Sequence, residues 1–149
     1  MTQQISRSII VNTPALHAYT IWADFTQFPH FMEHVKSVTP LGKDLSQWVV
    51  AGSLGTHIDW NAQITRLEPP TRIAWNTKDN KGLVTTSGQV TFNPLSDEQT
   101  EVTVTMQVTP PGGAVGEWLS HFFINPEEAV AADLRCFKTY TEEVVLSPA

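Results

Sequence analysis

At 149 residues the chain suits one domain, 1–149, able to bury roughly 70% of the surface its unfolded form would expose. Its 41% hydrophobic content excludes intrinsic disorder. Nine basic against fifteen acidic residues give a net charge of −6 without any basic run, which argues against nucleic acid and anionic membrane surfaces as partners.

Residues 4–11 are rich in β-branched side chains and read as an opening strand. Thr13-Pro14 then starts a helix, with Thr13 as cap, an inward stripe of Leu16, Tyr19, Thr20 and Ala23, and Trp22 closing it. Asp24-Phe25-Thr26-Gln27 repeats a capping-box pattern and predicts a short second helix before Pro29. From residue 35 the period becomes two, and strands are expected over 35–41, 47–51, 56–67, 72–77, 83–92 and 101–109. Gly42-Lys43-Asp44, Gly52, Glu68-Pro69-Pro70, residues 78–82 and residues 93–99 read as turns between them. With no helix between these strands, the sheet is an antiparallel meander. Val102, Val104, Met106 and Val108 share one face, as do Ile58, Trp60, Ala62 and Ile64, so one side is greasy and the other wet. Gly88 in mid-strand predicts a bulge or bend. Pro110-Pro111-Gly112-Gly113 breaks the last strand and reads as a gate for ligand entry, and an apolar linker with Trp118, Phe122 and Phe123 follows.

A long helix closes the chain. Asn125 caps it, Pro126 takes its first turn and Glu128 completes a capping box. Val130, Leu134, Phe137, Val144 and Val145 follow at helical spacing. A helix about 10–12 Å wide covers only two or three strands spaced ~4.8 Å apart. About seven strands are expected, so the sheet must curl around the helix, and such a curl leaves interior room for a small apolar ligand unless aromatic side chains fill it. Cys136 excludes an intrachain disulfide, fits a reducing compartment and is expected to pack as a small hydrophobe. Without a signal pattern, a lipidation motif or an apolar run of about 18 residues, the expectation is a cytoplasmic protein with no stable membrane insertion.

Several segments resemble the START/Bet v 1-like helix-grip superfamily. They include Trp22-Ala23-Asp24-Phe25, Phe28-Pro29-His30-Phe31-Met32, Trp48-Val49-Val50, Ile73-Ala74-Trp75, Gly88-Gln89-Val90-Thr91-Phe92, Pro111-Gly112-Gly113 and Asp133-Leu134-Arg135-Cys136-Phe137-Lys138. The likeness is nearest to the bacterial polyketide cyclase/dehydrase-like and coenzyme-Q-binding-like members and spans nearly the whole chain. It implies an α+β helix-grip fold, with a curved antiparallel sheet wrapped around a long C-terminal helix and two short helices between the first two strands. It also implies a hydrophobic ligand (lipid, quinone or polyketide-like) held between sheet and helix, with no cofactor. A cyclase or dehydratase acting on a polyketide-like substrate in the same cavity is the alternative, and a partner-binding regulatory module the third. The motifs are structural and leave open whether any reaction is catalysed, and neither catalytic residues nor a protein partner follow from them.

The residues expected to line the cavity are the aromatic set Trp22, Phe25, Phe31, Trp60, Trp75, Phe92, Trp118 and Phe122, with Met106, Leu134 and Phe137, since rings supply large apolar area with few rotors. His30-Phe31-Met32-Glu33-His34 spells an H-x-x-E-H zinc pattern, but Pro29 and the following strand leave barely one turn to hold it, and no metal is expected. His57, Asp59 and Asn61 fall on the wet face and read as solvated polar positions. Arg66 and Arg72 read as hairpin-end charges, or as a carboxylate anchor if turned inward. Glu117 and His121 read as a helix-surface pair.

Overall fold

The computed structural model of the chain describes residues 3–32, 35–51, 57–78, 85–109 and 126–143. Along the chain come β1 (Gln3–Val11), α1 (Ala15–Ala23), a 3-10 helix (Phe25–His30), β2 (Val35–Gly42), β3 (Leu45–Ala51) and β4 (His57–Glu68). Then follow β5 (Arg72–Lys78), β6 (Thr85–Ser96), β7 (Gln99–Thr109) and α2 (Pro126–Glu143). The seven strands form one antiparallel sheet in the order β1-β7-β6-β5-β4-β3-β2. β2 to β7 are a meander, and β1 returns beside β7, which leaves β1 and β2 as the two edges. This is the α+β helix-grip architecture, with α2 packed against β1.

Register sorts the two faces of the sheet. Ile5 lies opposite Met106, Ile9 opposite Val102, Val90 opposite Val104, Ile73 opposite Val90 and Ile64 opposite Trp75. These residues look inward toward α2. On the outer face Ser6 bonds Thr105 (3.3 Å) and Ser8 bonds Thr103 (2.8 Å) through their hydroxyls. The end of β1 and the turns after β2, β4 and β6 lie at one end of the sheet, where α1 and the 3-10 helix also pack. We call this the closed end.

Three local expectations need correction. Pro14, not Thr13, occupies the cap position of α1, and no side chain caps it. Thr13 is buried, with its carbonyl accepting a hydrogen bond from Thr100 Oγ1 at 2.9 Å, so its backbone serves the start of β7 instead. The buried arc of α1 is Ala18, Tyr19, Ile21 and Trp22, whereas Leu16 is 61% exposed and Thr20 is exposed. α1 meets β6, β7, α2 and the 3-10 helix at once, and that many-sided contact shifts the arc from the stripe a single packing face would select. Finally, β6 continues through Asn93 and Pro94 to Ser96, because Pro94 sits beside a register shift where its missing N–H costs no regular ladder bond.

α2 holds Val130, Leu134, Phe137 and Thr141 on its buried face. Cys136, expected to pack, is exposed with its neighbour Arg135, because it lies well away from that stripe around the helix. Val144 and Val145 fall outside the described residues. The far end of α2 is fastened to the sheet edge and to α1. Lys138 Nζ donates to Ile10 O (3.0 Å), Asn12 N donates to Glu142 Oε2 (2.7 Å), and His17 Nε2 bonds Thr141 O (3.0 Å).

Candidate functional site

The closed end is a mesh of rings. Trp22 meets Phe137 at 4.9 Å between centroids, Phe28 at 5.4 Å and Phe92 at 6.3 Å, all edge-to-face. Phe31 meets Phe28 at 5.0 Å and Phe137 at 5.6 Å. Edge-to-face contacts at these separations satisfy the ring quadrupoles and fill space efficiently. Five of the expected lining residues, Trp22, Phe31, Phe92, Leu134 and Phe137, are buried in this core. Phe25 is half-buried at its rim, 5.8 Å from Trp48.

Further along the same strands the burial gives way. Ile73 on β5 is fully buried, and Trp75, two residues on and on the same face, is half-buried. Val102 and Val104 on β7 are buried, and Met106 is half-buried. Ile64 on β4, Ile9 on β1 and Trp48 on β3 are likewise inward-facing and half-buried, packed on the core from one side. Trp48 is held by its own strand, its Nε1 donating to the buried Ser46 Oγ at 3.0 Å. Ile64, Trp75 and Met106 form one row across the sheet through Gly88, an apolar layer beside the fully buried rows. Trp48 flanks it, with Phe28 at 5.0 Å, whereas Ile9, opposite Val102, belongs to the level of Phe92. Trp48, Ile64 and Ile9 were not among the expected lining residues. Alternation places Ile64 on the greasy face of its strand, a signal that an aromatic-weighted choice of lining residues leaves out.

Gly88 gives this layer its shape. It pairs with both Trp75 and Met106, and a Cβ there would stand 2.7 Å from Met106 Cβ and 2.5 Å from Thr105 O. β6 and β7 therefore approach more closely than any other residue would allow, while the register runs unbroken through Gly88, so no bulge forms there. On the outer face of the sheet at this close approach lies an open groove of about 290 Å³, lined by Gln4, Ser87, Gln89, Thr105 and Gln107 along with Gly88 and Met106. Its amides and hydroxyls make it a poor home for an apolar molecule.

Of the remaining expected residues, Trp60 is paired opposite Trp48, and its side chain lies outside the described residues. Trp118 and Phe122 also lie outside, as do Glu117, His121 and the Pro110–Gly113 gate.

α2 carries two polar groups on one flank. Asp133 lies two turns before Tyr140 on the same flank of the helix, the one away from β1. Burial pushes its carboxyl up to about 7. Tyr140 donates its hydroxyl to Gln27 Oε1, stacks on His30 at 6.2 Å and tilts against Phe31 at 5.1 Å. His30 ends the 3-10 helix, whereas Glu33 and His34 of the H-x-x-E-H pattern lie outside the described residues. Among the described residues no cluster of His, Cys, Asp or Glu has metal-site geometry.

Arg66 and Arg72 stay at the hairpin end, where both grip Glu68, at 3.1 and 3.0 Å. Arg72 also reaches Gln89 on the outer face at 3.3 Å. Those hydrogen bonds, Arg72's first, hold the Glu68 carboxyl below its ordinary range. Neither arginine turns toward the layer. Asn61 is paired opposite Gln47 and Asp59 opposite Val49, and the side chains of His57 and Asp59 are outside the described residues.

A sheet curled around one helix, with an apolar layer beneath it, defines a helix-grip protein. The chain belongs to the family described as polyketide cyclase / dehydrase and lipid transport, which matches residues 11–134. An uncharacterised 17.2 kDa protein of Streptomyces lincolnensis is 33% identical over 142 residues, covering 94% of this chain and 90% of that one. A solved structure from Deinococcus radiodurans is 29% identical with a TM-score of 0.72, covering 94% of this chain and 97% of its own. At lower identity, where only the fold is shared, stand an aromatase/cyclase from a Streptomyces species and a START superfamily protein from Mycobacterium smegmatis. The former is 17% identical (TM-score 0.75; 95% and 94% covered) and the latter 14% (TM-score 0.77; 95% and 99% covered). Among the described residues no helix is long and apolar enough to cross a membrane.

Proposed function

We propose that the protein binds a hydrophobic small molecule, of lipid, quinone or polyketide-like character, between α2 and the inner face of the sheet. The observation that carries this reading is the half-buried apolar layer of Trp48, Ile64, Trp75 and Met106 beside a fully buried core. Large apolar side chains that face inward yet keep part of their surface accessible are what an apolar ligand covers. Flat or chain-like molecules suit the two indoles. Native followed by denaturing mass spectrometry on protein from its natural host tests the reading. A released apolar compound near one per chain, lost in Trp75→Ala, is the expected result. Apo protein from the host that also takes up no quinone or fatty acyl compound in vitro would overturn it.

A second reading, a cyclase or dehydratase acting on the same kind of molecule, draws on one observation. Asp133 is a carboxyl group whose burial holds it near half-protonation at neutral pH, as a general acid or base requires. In that case Asp133→Asn retains the ligand and abolishes its conversion. Unchanged conversion by Asp133→Asn would remove this reading and leave the binding one intact.

A further inference from the structure

The inner face of the sheet carries a charge at its β1 edge. Register places Ile5, Arg7 and Ile9 on that face, opposite Met106, Val104 and Val102 of β7. Followed across the ladder from β7 to β2, the same face holds no other charged residue at any paired position among the described residues. Arg7 is exposed, and it makes no hydrogen bond or ion pair among the described residues. Its fork of donors is therefore available.

Arg7 stands within reach of the apolar layer. Because it pairs with Val104, Met106 is its diagonal neighbour on the same face. Diagonal neighbours lie about 7–8 Å apart, a span that long side chains cover. An arginine lays its methylenes along apolar surface and keeps its guanidinium at the border, which suits this position. The α2 side leaves it uncontested. Lys138 meets Ile10 and Glu142 meets Asn12, so α2 runs in the same direction as β1. At about 1.5 Å per helical residue against about 3.3 Å per strand residue, Arg7 falls level with Ala131. Ala131 lies two turns before Lys138 on the flank that faces β1, and it brings no charge to Arg7. Among the acidic residues of this half of α2, Glu128 is held by Arg135 at 3.0 Å and Asp133 lies on the opposite flank. Glu127, in the first turn, forms no ion pair among the described residues.

We propose that Arg7 anchors the head group of the ligand, and that the ligand is an apolar molecule ending in a carboxylate. This rests on the binding reading above and gives the bound molecule a direction. The carboxylate sits at β1, and the apolar body crosses Met106 toward Trp75 and Ile64. A guanidinium grips a carboxylate through two parallel hydrogen bonds, which select it over a neutral hydroxyl. In a chain of net charge −6 an anionic head is repelled on average, so the inner-face cation decides where it rests. An inward charge on an edge strand also discourages pairing with another sheet. That role acts through association and leaves ligand choice untouched, so experiment separates the two.

Calorimetric titration of the full chain with decanoate, decan-1-ol and menadione tests the anchor. Decanoate is expected to bind at least about tenfold more tightly than decan-1-ol, which shares its tail, and added salt should narrow the gap. Arg7→Met is expected to bring decanoate down to the level of decan-1-ol while keeping the native circular dichroism. Arg7→Lys, which retains the charge and loses the fork, should keep part of the preference. A wild type that binds decan-1-ol or menadione but shows no preference for decanoate would overturn the anchor and leave the binding reading intact. So would a preference that survives Arg7→Met, and if that variant also dimerises in sedimentation, Arg7 belongs to edge protection instead. Binding of none of the three compounds would remove the binding reading and the anchor with it.

Discussion

The closed end of the grip and the layer two residues above it are built from the same strands, yet they meet α2 in different ways. At the closed end α1, the 3-10 helix and α2 converge, and Phe92, Phe137 and Trp22 contact other rings on several sides. One step along each strand, Trp75 and Met106 still face inward but are only half-buried, packed on the core from one side. Identical alternation and similar residue types therefore give a sealed core in one place and an accessible apolar wall in the other. What separates them is how many elements arrive on the inner face, not the hydrophobicity of the strand.

The comparison breaks most visibly at the closed end. Phe137→Ala removes the ring that links Trp22 and Phe31 from a fully buried site, and about 3–5 kcal/mol of stability should be lost in denaturant unfolding. A loss under 1 kcal/mol would mean that the mesh is not the structural anchor.

Asp133 provides a pH test of the flank beside the wall. Its carboxyl titrates near 7 when folded, against the ordinary 3.8 of an unfolded aspartate. The folded state therefore holds the proton more tightly. The stability it contributes is complete below pH 3.8, declines as pH rises toward 7, and is gone above that value. Asp133→Asn should consequently raise stability at pH 8 by about 2–4 kcal/mol relative to wild type, with little change at pH 4. Unfolding curves at the two pH values check this, and equal shifts at both would contradict it.

The close approach of β6 and β7 is tested by Gly88→Ala. A methyl pressed between Met106 and the carbonyl of Thr105 must separate β6 from β7, at a cost of about 1–3 kcal/mol. A thermal shift upward would show that the close approach is not needed. The smallest effect is expected at Tyr19. Its hydroxyl is buried with no hydrogen-bond partner among the described residues, so Tyr19→Phe should be neutral or stabilising by up to about 1 kcal/mol. A clear destabilisation would reveal a partner for that oxygen.

Much of this architecture was legible in the residues themselves. The alternation of Val102, Val104 and Met106 against Thr103 and Thr105 marks both strand and face, and the register confirms it. The strong start of α2 at Pro126 was equally readable from the capping pattern. The stripe of α1 was not, because its phase is set by four separate packing partners rather than by one face. The same limit applies to the site. Phe92 and Trp75 are both inward-facing aromatics, and only the placement of α1 beside one of them decides which is core and which is wall. The burial of Asp133 likewise depends on how the sheet curls, which no local spacing encodes.

Methyl NMR on the methionines tests the central claim most directly, because one of them lies in each region. Met32 is buried in the closed-end core, and Met106 stands in the wall beside Gly88. With the methionine methyls carbon-13 labelled, titration with menadione as an apolar probe should shift the Met106 signal saturably and leave the Met32 signal in place. A saturable shift of Met32 without Met106, or no shift of either at saturating menadione and fatty acid, would contradict a ligand site between α2 and the sheet.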